Sequence, residues 1–509
     1  MKRIKLTLIY LFITSFSLIY AANEKQNLTK YVSAVGPYNA YIELNLHQLA
    51  TKANLNGHEY KSNIHIMLNE LTNDKALSDI IYGSLNQNNT ALDFKSNTYI
   101  VLHGKKNTNV NITSSSLYIA VRNYKELLAL VEQNITNGTP IQRENEFYIL
   151  PYKPGKPQVA FNEDYLIIVE DRDKNELGSI LYPTKTLNKS ILSKHLNSKN
   201  DLTLFINSEL LANDRKIRNF ISLYLNNIEN FTADNGNALY IAMGAKFNNG
   251  SVEIETNNIC ENPKALEELN QSTGVQKTSK KLTNYISDST LWTTYLSLDG
   301  QYLSNTISKY LPLLPKVFSA QDLALAEKIA QTIDGDIAFS FEDFYMNGLF
   351  DFSFSAKLMF QTRGNDLFTL LKQSLKERNI KYTEVNDNLV SVSVLYFSVF
   401  IGKTKDMTYI TTSSKFANDP VKVKPNIKKA RFYKGKQDFG FNIIDVSNIL
   451  ANPFIQELYQ KEVGADVRKF SDNIDYIKTR VPSTNNNTLE IVLKDSSINS
   501  LEFILNTFK

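Results

Sequence analysis

The chain has one cysteine, Cys260, and five histidines (His47, His58, His65, His103 and His195), all five before residue 196. A lone cysteine excludes an intrachain disulfide and any Cys-rich metal site. A zinc-protease helix needs two histidines one turn apart with a glutamate beside the first. His58-Glu59 is followed by His65, seven residues from His58, which misses that spacing. Surface and helix-face histidines are the simpler reading. No Gly-x-Ser-x-Gly elbow, P-loop or dinucleotide fingerprint occurs, so the common motif-borne hydrolases, nucleotidases and dehydrogenases lose their signature. Beyond the N-terminus no apolar run reaches the roughly 20 residues that span a bilayer. The sequence therefore assigns no catalytic, metal or cofactor-binding residue and implies no cofactor.

Length and composition bound what is present. At 509 residues, 42% hydrophobic and 21% charged, the chain suits two to four globular domains. Lys2, Arg3 and Lys5 precede an apolar run from Leu6 to Tyr20, and Ala21-Ala22 supplies a small-residue exit. That order predicts a signal peptide over residues 1–21 and an exported protein, periplasmic or extracellular. No cysteine follows the run, so lipid attachment is not expected. Removing three basic and no acidic residues takes the formal charge from +4 to +1. A nearly neutral chain argues against a nucleic-acid partner, which demands many phosphate contacts.

One local device recurs four times: an apolar strand that ends in a polar residue suited to cap a helix. Tyr41-Ile42-Glu43-Leu44 leads to Asn45, Thr203–Ile206 to Asn207, Trp292–Leu298 to Asp299, and Phe439–Ile444 to Asp445. Asn and Asp side chains accept hydrogen bonds from the unpaired N–H groups of a first helical turn. Each cap is followed four positions on by an apolar residue: Leu49, Leu211, Leu303 and Ile449. Hairpins follow at Asn249-Gly250 and Asn347-Gly348, the strongest short-range turn signal, and around 485–487. A two-residue turn at 347–348 would set Phe341 opposite Phe354. Helices are expected over 46–85, 124–133, 217–228 and 366–376. Asn45 and Asp299, like Asn207 and Asp445, lie about 240–255 residues apart, which reads as a duplication.

The expected fold is α+β: duplicated units of antiparallel strands and hairpins with inserted helices, in two similar halves. The first half covers 23–270, with sub-units at about 30–190 and 200–270. A linker spans 271–290, and the second half covers 291–509, with sub-units at about 291–415 and 437–509.

The lead-in Lys30-Tyr31-Val32, with Tyr41-Ile42-Glu43-Leu44-Asn45-Leu46, Leu49 and Lys52, resembles the opening of a family of exported Bacteroidetes proteins of about this size. Many are lipoproteins, and their domain has no assigned function. The resemblance implies an envelope protein with a duplicated fold and brings no catalytic residues to carry over. This chain departs from the pattern in lacking the lipidated cysteine and in having Ser33 where proline commonly follows Tyr-Val.

Among the remaining candidates, Cys260 follows Ile259 at a strand end and reads as structural. The acidic pairs Glu170-Asp171 and Glu342-Asp343 occupy adjacent strand positions, which point to opposite faces and make poor acid/base partners. The segment 422–436 contains Lys422, Lys424, Lys428, Lys429, Arg431, Lys434 and Lys436 without an acidic residue. These seven are candidate anion-binding residues, in a stretch otherwise expected to be a solvated linker. The leading functional expectation is an envelope-associated binding or structural protein that takes a ligand between its halves. The competing expectations are a glycan-directed hydrolase with dispersed carboxylates and a periplasmic carrier of an apolar ligand. Partners would be envelope glycan, lipid or protein.

Overall fold

A computed structural model describes residues 26–34, 39–54, 65, 68–69, 72–85, 88–104, 112–151, 155–171, 177–196, 199–212, 238–271, 274–310, 320–346, 352–362, 366–394, 397–434 and 437–507. The expected signal peptide, the helix expected over 217–228, the Asn347-Gly348 turn, His58 and Lys436 lie outside them. The chain forms two compact units: described residues up to 212 with 238–266 and 496–507, and residues 267–495.

The strands of the first unit are β1 (Asn39–Leu44), β2 (Leu92–Asp93), β3 (Thr98–Gly104), β4 (Ile112–Val121), β5 (Arg143–Glu144), β6 (Phe147–Ile149), β7 (Gln158–Phe161), β8 (Tyr165–Asp171), β9 (Leu202–Asn207), β10 (Leu239–Asn248) and β11 (Ser251–Cys260). All pair antiparallel, in the order β11-β10-β9-β1-β3-β4-β8-β7-β6-β5, with β2 alongside β4. In register, Tyr41 faces Val101 on one side and Phe205 on the other.

One face of this sheet is aromatic, because alternation along each strand puts every second residue there. Tyr41, Tyr99, Tyr118, Tyr165 and Phe205 form a core with Leu28, Leu187 and Leu192. Those leucines come from 3₁₀ turns, Leu28–Lys30, Leu187–Lys189 and Ile191–Lys194, that cover the face. The amphipathic helices Lys75–Leu85 and Tyr124–Asn134 bury Leu77, Ile80 and Ile81, and Leu127 and Val131.

The second unit has β12 (Trp292–Asp299), β13 (Ile333–Met346), β14 (Phe352–Thr362), β15 (Thr383–Asn386), β16 (Leu389–Val394), β17 (Phe397–Lys403), β18 (Thr408–Thr411), β19 (Gly440–Ile444), β20 (Ile474–Ser483) and β21 (Asn486–Leu493). Their order is β21-β20-β19-β12-β13-β14-β18-β17-β16-β15, again antiparallel throughout. Its core joins Tyr295, Tyr409 and Phe441 to Leu282, Tyr285, Ile427 and Phe432 from covering segments.

These sheets correct the expectation of an α+β chain of duplicated strand-and-hairpin units with inserted helices in two similar halves. Strands predominate, 21 against 14 α-helices among the described residues. The sub-units expected at 30–190 and 200–270 are not separate, because β9 pairs with β1 across some 160 residues of chain. The 291–415 and 437–509 sub-units are likewise joined by the β12–β19 ladder. Nor do the compact units coincide with halves of the sequence, since the closing helix Ser500–Thr507 belongs to the first unit. There its Glu502 accepts from Asn54 at 3.1 Å. What the units share is the order in which the chain connects their strands, the two-residue β2 apart.

A second correction concerns register. Met346 stands opposite Phe352 and Phe344 opposite Phe354, in place of the expected Phe341–Phe354 pair, and a bulge between Phe341 and Asp343 then sets Phe341 opposite Ala356. The extra residue is what a β-bulge inserts. The β10–β11 hairpin does turn on Asn249-Gly250, with Gly250 at φ +71°.

Candidate functional site

The first unit contains a half-open cleft of about 880 Å³, within the size range of ligand pockets. Its rim follows from local sequence. The helix Tyr124–Asn134 ends at Ile135, and Asn137 (φ +52°) and Gly138 (φ +84°) turn the chain back, with Gly138 N–H donating to the Glu132 carbonyl at 2.8 Å. Thr139, Pro140, Ile141 and Gln142 line the cleft together with Ile149, Leu150, Pro151, Lys156 and Pro157. Pro140, Pro151 and Pro157 all line the cleft. Each fixes its own φ and removes a backbone donor, so this wall is stiff without being helix or ladder. Ile135, Ile141, Ile149, Leu150, Val159 and Leu177 give it an apolar lining, and Leu77 contributes from the facing helix.

Polar groups at the cleft divide into two kinds. Asp74 is committed: Oδ1 accepts from Ala76 and Leu77 N–H at 3.0 and 3.2 Å, capping the helix Lys75–Leu85. Its Oδ2 accepts from Lys156 Nζ at 2.6 Å. The Asn137, Gln142 and Gln158 amides and the exposed Glu144 carboxylate also line the cleft and have no side-chain partner among the described residues. The cleft thus offers an apolar body, three uncommitted amides and one carboxylate, which suits holding a ligand. The sequence reading missed it, because its walls come from residues 74–177 and only the tertiary fold assembles them. The legible signal was the trio of prolines between short apolar runs.

The sequence-derived anion-binding candidates occupy a structured surface in the second unit. Residues 422–434 are anchored by Ile427, Ala430 and Phe432, buried in the core, with a 3₁₀ turn at Ile427–Lys429. Lys422, Lys424, Lys428, Lys429, Arg431 and Lys434 are exposed around these anchors. Arg431 is partnered within the chain, 2.9 Å from Asp475 and 3.4 Å from Asp445. Lys428 Nζ lies 3.5 Å from Asn284 Oδ1.

The carboxylates are dispersed, and the buried ones are held by donors. Glu43 accepts from Tyr99 Oη at 2.7 Å and Asn97 Nδ2 at 2.8 Å. Asp336 accepts from Ser279 N–H at 2.9 Å, Ser279 Oγ at 2.6 Å and the Tyr295 hydroxyl. Burial, and then Glu43 for Tyr99 and Asp336 for Tyr295, push both phenols far above their ordinary range. Glu342 pairs with Lys357 at 2.7 Å, while Glu170 is exposed. None of these lines the cleft. Cys260 is half-buried at the end of β11, and burial pushes its thiol up, away from nucleophile behaviour. His65 contacts Asp79 and stacks on Tyr82, His103 lies 3.1 Å from Ser116 Oγ, and burial together with Lys194 lowers His195. No cluster of metal-ligating side chains occurs among the described residues. No helix among them is long and apolar enough to cross a membrane.

Fold and cleft define an antiparallel-sheet protein with a ligand-sized recess in its first unit. The chain belongs to the family described as a domain of unknown function (DUF4836), whose profile matches residues 35–501. No curated protein and no solved structure matches it.

Proposed function

We propose that the protein is an exported, envelope-associated binding protein, periplasmic or extracellular, whose ligand lodges in the cleft of the first unit. The carrying observation is the 880 Å³ recess with a mainly apolar lining and the unengaged Gln142 and Gln158 amides. That lining favours a small ligand with an apolar body and one or two hydrogen-bonding groups, as a carrier of apolar compounds would take. The cleft is lined by two carboxylates, Asp74, which already caps a helix and pairs with Lys156, and the exposed Glu144; with Asp74 committed, no pair is left to divide acid and base roles, which supports binding over hydrolysis. Export rests on the residue order Lys2 to Ala22. Resemblance to exported Bacteroidetes proteins at Lys30–Lys52 points the same way.

The test is solvent extraction of the purified full-length chain with mass spectrometry, followed by titration with the apolar fluorophore N-phenyl-1-naphthylamine. Saturable binding that falls at least tenfold in Leu150→Arg or Ile141→Arg, at unchanged melting temperature, is the expected result. An extract without ligand combined with no saturable fluorophore binding would remove the cleft as the site.

A further inference from the structure

A second basic segment matches the one at 422–436. Residues 183–200 contain Lys185, Lys189, Lys194 and Lys199 and no acidic residue. The two segments occupy corresponding connections, β8 to β9 in the first unit and β18 to β19 in the second. Both lie against a copy of one short pattern, Leu28-Thr29-Lys30-Tyr31-Val32-Ser33 and Leu282-Thr283-Asn284-Tyr285-Ile286-Ser287. Leu187 N–H donates to the Val32 carbonyl at 3.0 Å, and Ile427 N–H to the Ile286 carbonyl at 2.9 Å. Ser33 bridges to Thr186 and Ser287 to Asn426. Leu187 and Leu192 in one strap, and Ile427 and Phe432 in the other, are buried in the cores. Each strap is therefore fixed by its apolar residues while its cations project into water.

Most of those cations are not neutralised within the chain. Lys185 lies 3.6 Å from Glu261, and Arg431 is held by Asp475 and Asp445. Lys189, Lys194, Lys199, Lys422, Lys424, Lys429 and Lys434 are exposed and have no acidic partner among the described residues. Beside each strap stands an exposed apolar side chain, Tyr182 at 49% and Val421 at 55%. A strap whose backbone is already held by the core pays little backbone-ordering entropy on meeting a multivalent anion. An aliphatic side chain gains nothing from a hydrated polymer, but it gains from the boundary between head groups and acyl chains, where tyrosine also settles.

We propose that each lysine strap is its own unit's docking site for an anionic lipid surface, with Tyr182 entering the interface beside one strap and Val421 beside the other. The test uses the full-length chain in co-sedimentation with vesicles of phosphatidylglycerol and phosphatidylcholine, against phosphatidylcholine alone. Binding to the anionic vesicles, weakened at high salt, is expected. Each lysine near such a surface contributes roughly fivefold to partitioning. With the second unit's strap neutralised, joint Lys189→Gln, Lys194→Gln and Lys199→Gln should lower the remaining binding by about two orders of magnitude. With the first unit's strap neutralised, Lys422→Gln, Lys424→Gln, Lys429→Gln and Lys434→Gln should do at least as much, with the melting temperature unchanged because these side chains are exposed. Joint Tyr182→Ser and Val421→Ser should lower the binding that survives high salt. Equal affinity for both vesicle types, or affinity unchanged when both straps are neutralised, would overturn the proposal. So would binding to soluble dextran sulfate in the absence of vesicle binding, or indifference to the Tyr182 and Val421 substitutions.

Discussion

Tyr409 stands directly opposite Gly402 on the neighbouring strand, and its ring fills the space into which a Cβ at residue 402 would project. The ring lies edge-on to Phe416 with centroids 5.3 Å apart, and its hydroxyl donates to the Ala417 carbonyl at 3.0 Å. Held from both ends, the ring cannot tilt away at low cost. Gly402→Ala is therefore expected to destabilise the chain by about 1–3 kcal/mol, as overpacking does. It should appear as a lower urea midpoint at unchanged slope. In a Tyr409→Ala background the same substitution should cost much less, because the two sites share one volume. Equal costs in both backgrounds would show that the ring is not what the methyl group meets.

Lys357 is nearly inaccessible and is held on several sides. Its Nζ lies 2.7 Å from Glu342, donates to the Tyr285 carbonyl at 3.2 Å and sits 4.5 Å from the Phe416 ring centroid. Glu342→Ala strands a buried ammonium and is expected to cost about 3–5 kcal/mol. Replacing both partners, Lys357→Met with Glu342→Leu, should recover most of that loss, since two desolvation costs disappear with the attraction. Chemical denaturation of Glu342→Ala and of the double variant reads the difference. A loss below about 1 kcal/mol for Glu342→Ala would place the pair with weak surface bridges.

The four strand-ending caps give a prediction of a different kind, because they were visible in the sequence. Asn45 accepts from Gln48 N–H at 3.1 Å, Asn207 from Glu209 at 2.8 Å, Asp299 from Tyr302 at 2.9 Å and Asp445 from Asn448 at 3.1 Å. Substitution by Ala at Asn45, Asn207 or Asp299 is expected to cost about 1 kcal/mol each. Asp445→Ala should cost more, because its carboxylate also lies 3.4 Å from Arg431 and accepts from Asn448 Nδ2 at 2.9 Å. Asp445→Asn keeps the cap and loses the charge, so it should fall between wild type and Ala. Thermal denaturation of the five variants orders them.

The caps were legible because capping is set by residues within one turn of each other. The Asn249-Gly250 turn was legible for the same reason. The joining of β9 to β1 was not, since pairing between distant strands leaves no local pattern. The bulge at Phe341–Asp343 was overlooked, although the doubled polar pair Glu342-Asp343 between Phe341 and Phe344 breaks the alternation where the extra residue sits. In the segment 422–436 the lysines masked the anchors. Ile427, Ala430 and Phe432 recur at every second or third position, too few to register as an element, yet they carry the strap into the core. The cleft was the least legible feature, because Leu77, Ile141 and Leu177 are brought together by tertiary packing alone.

Buried tyrosines give the fold a predictable response to alkali. Tyr118 and Tyr409 are both at most 2% exposed, and burial pushes each phenol up to about 12. An unfolded tyrosine titrates near 10. Below pH 10 both states keep the proton and the full stability is present. Between about pH 10 and 12 the unfolded chain releases the proton while the folded chain holds it. Stability then falls by about 1.4 kcal/mol per pH unit for each such tyrosine. Tyr41, Tyr99, Tyr165 and Tyr295 are raised still further by burial, so their contribution continues to decline beyond that window. Urea midpoints should be flat with respect to these groups up to about pH 10 and drop steeply above it. Absorbance at 295 nm should show these phenols ionising only as the chain unfolds. Tyr118→Phe removes one titrating group and should reduce the alkaline slope by about 1.4 kcal/mol per pH unit. A slope that stays the same in Tyr118→Phe would mean that this phenol already ionises in the folded chain, contrary to its burial among Tyr165 and the other core rings.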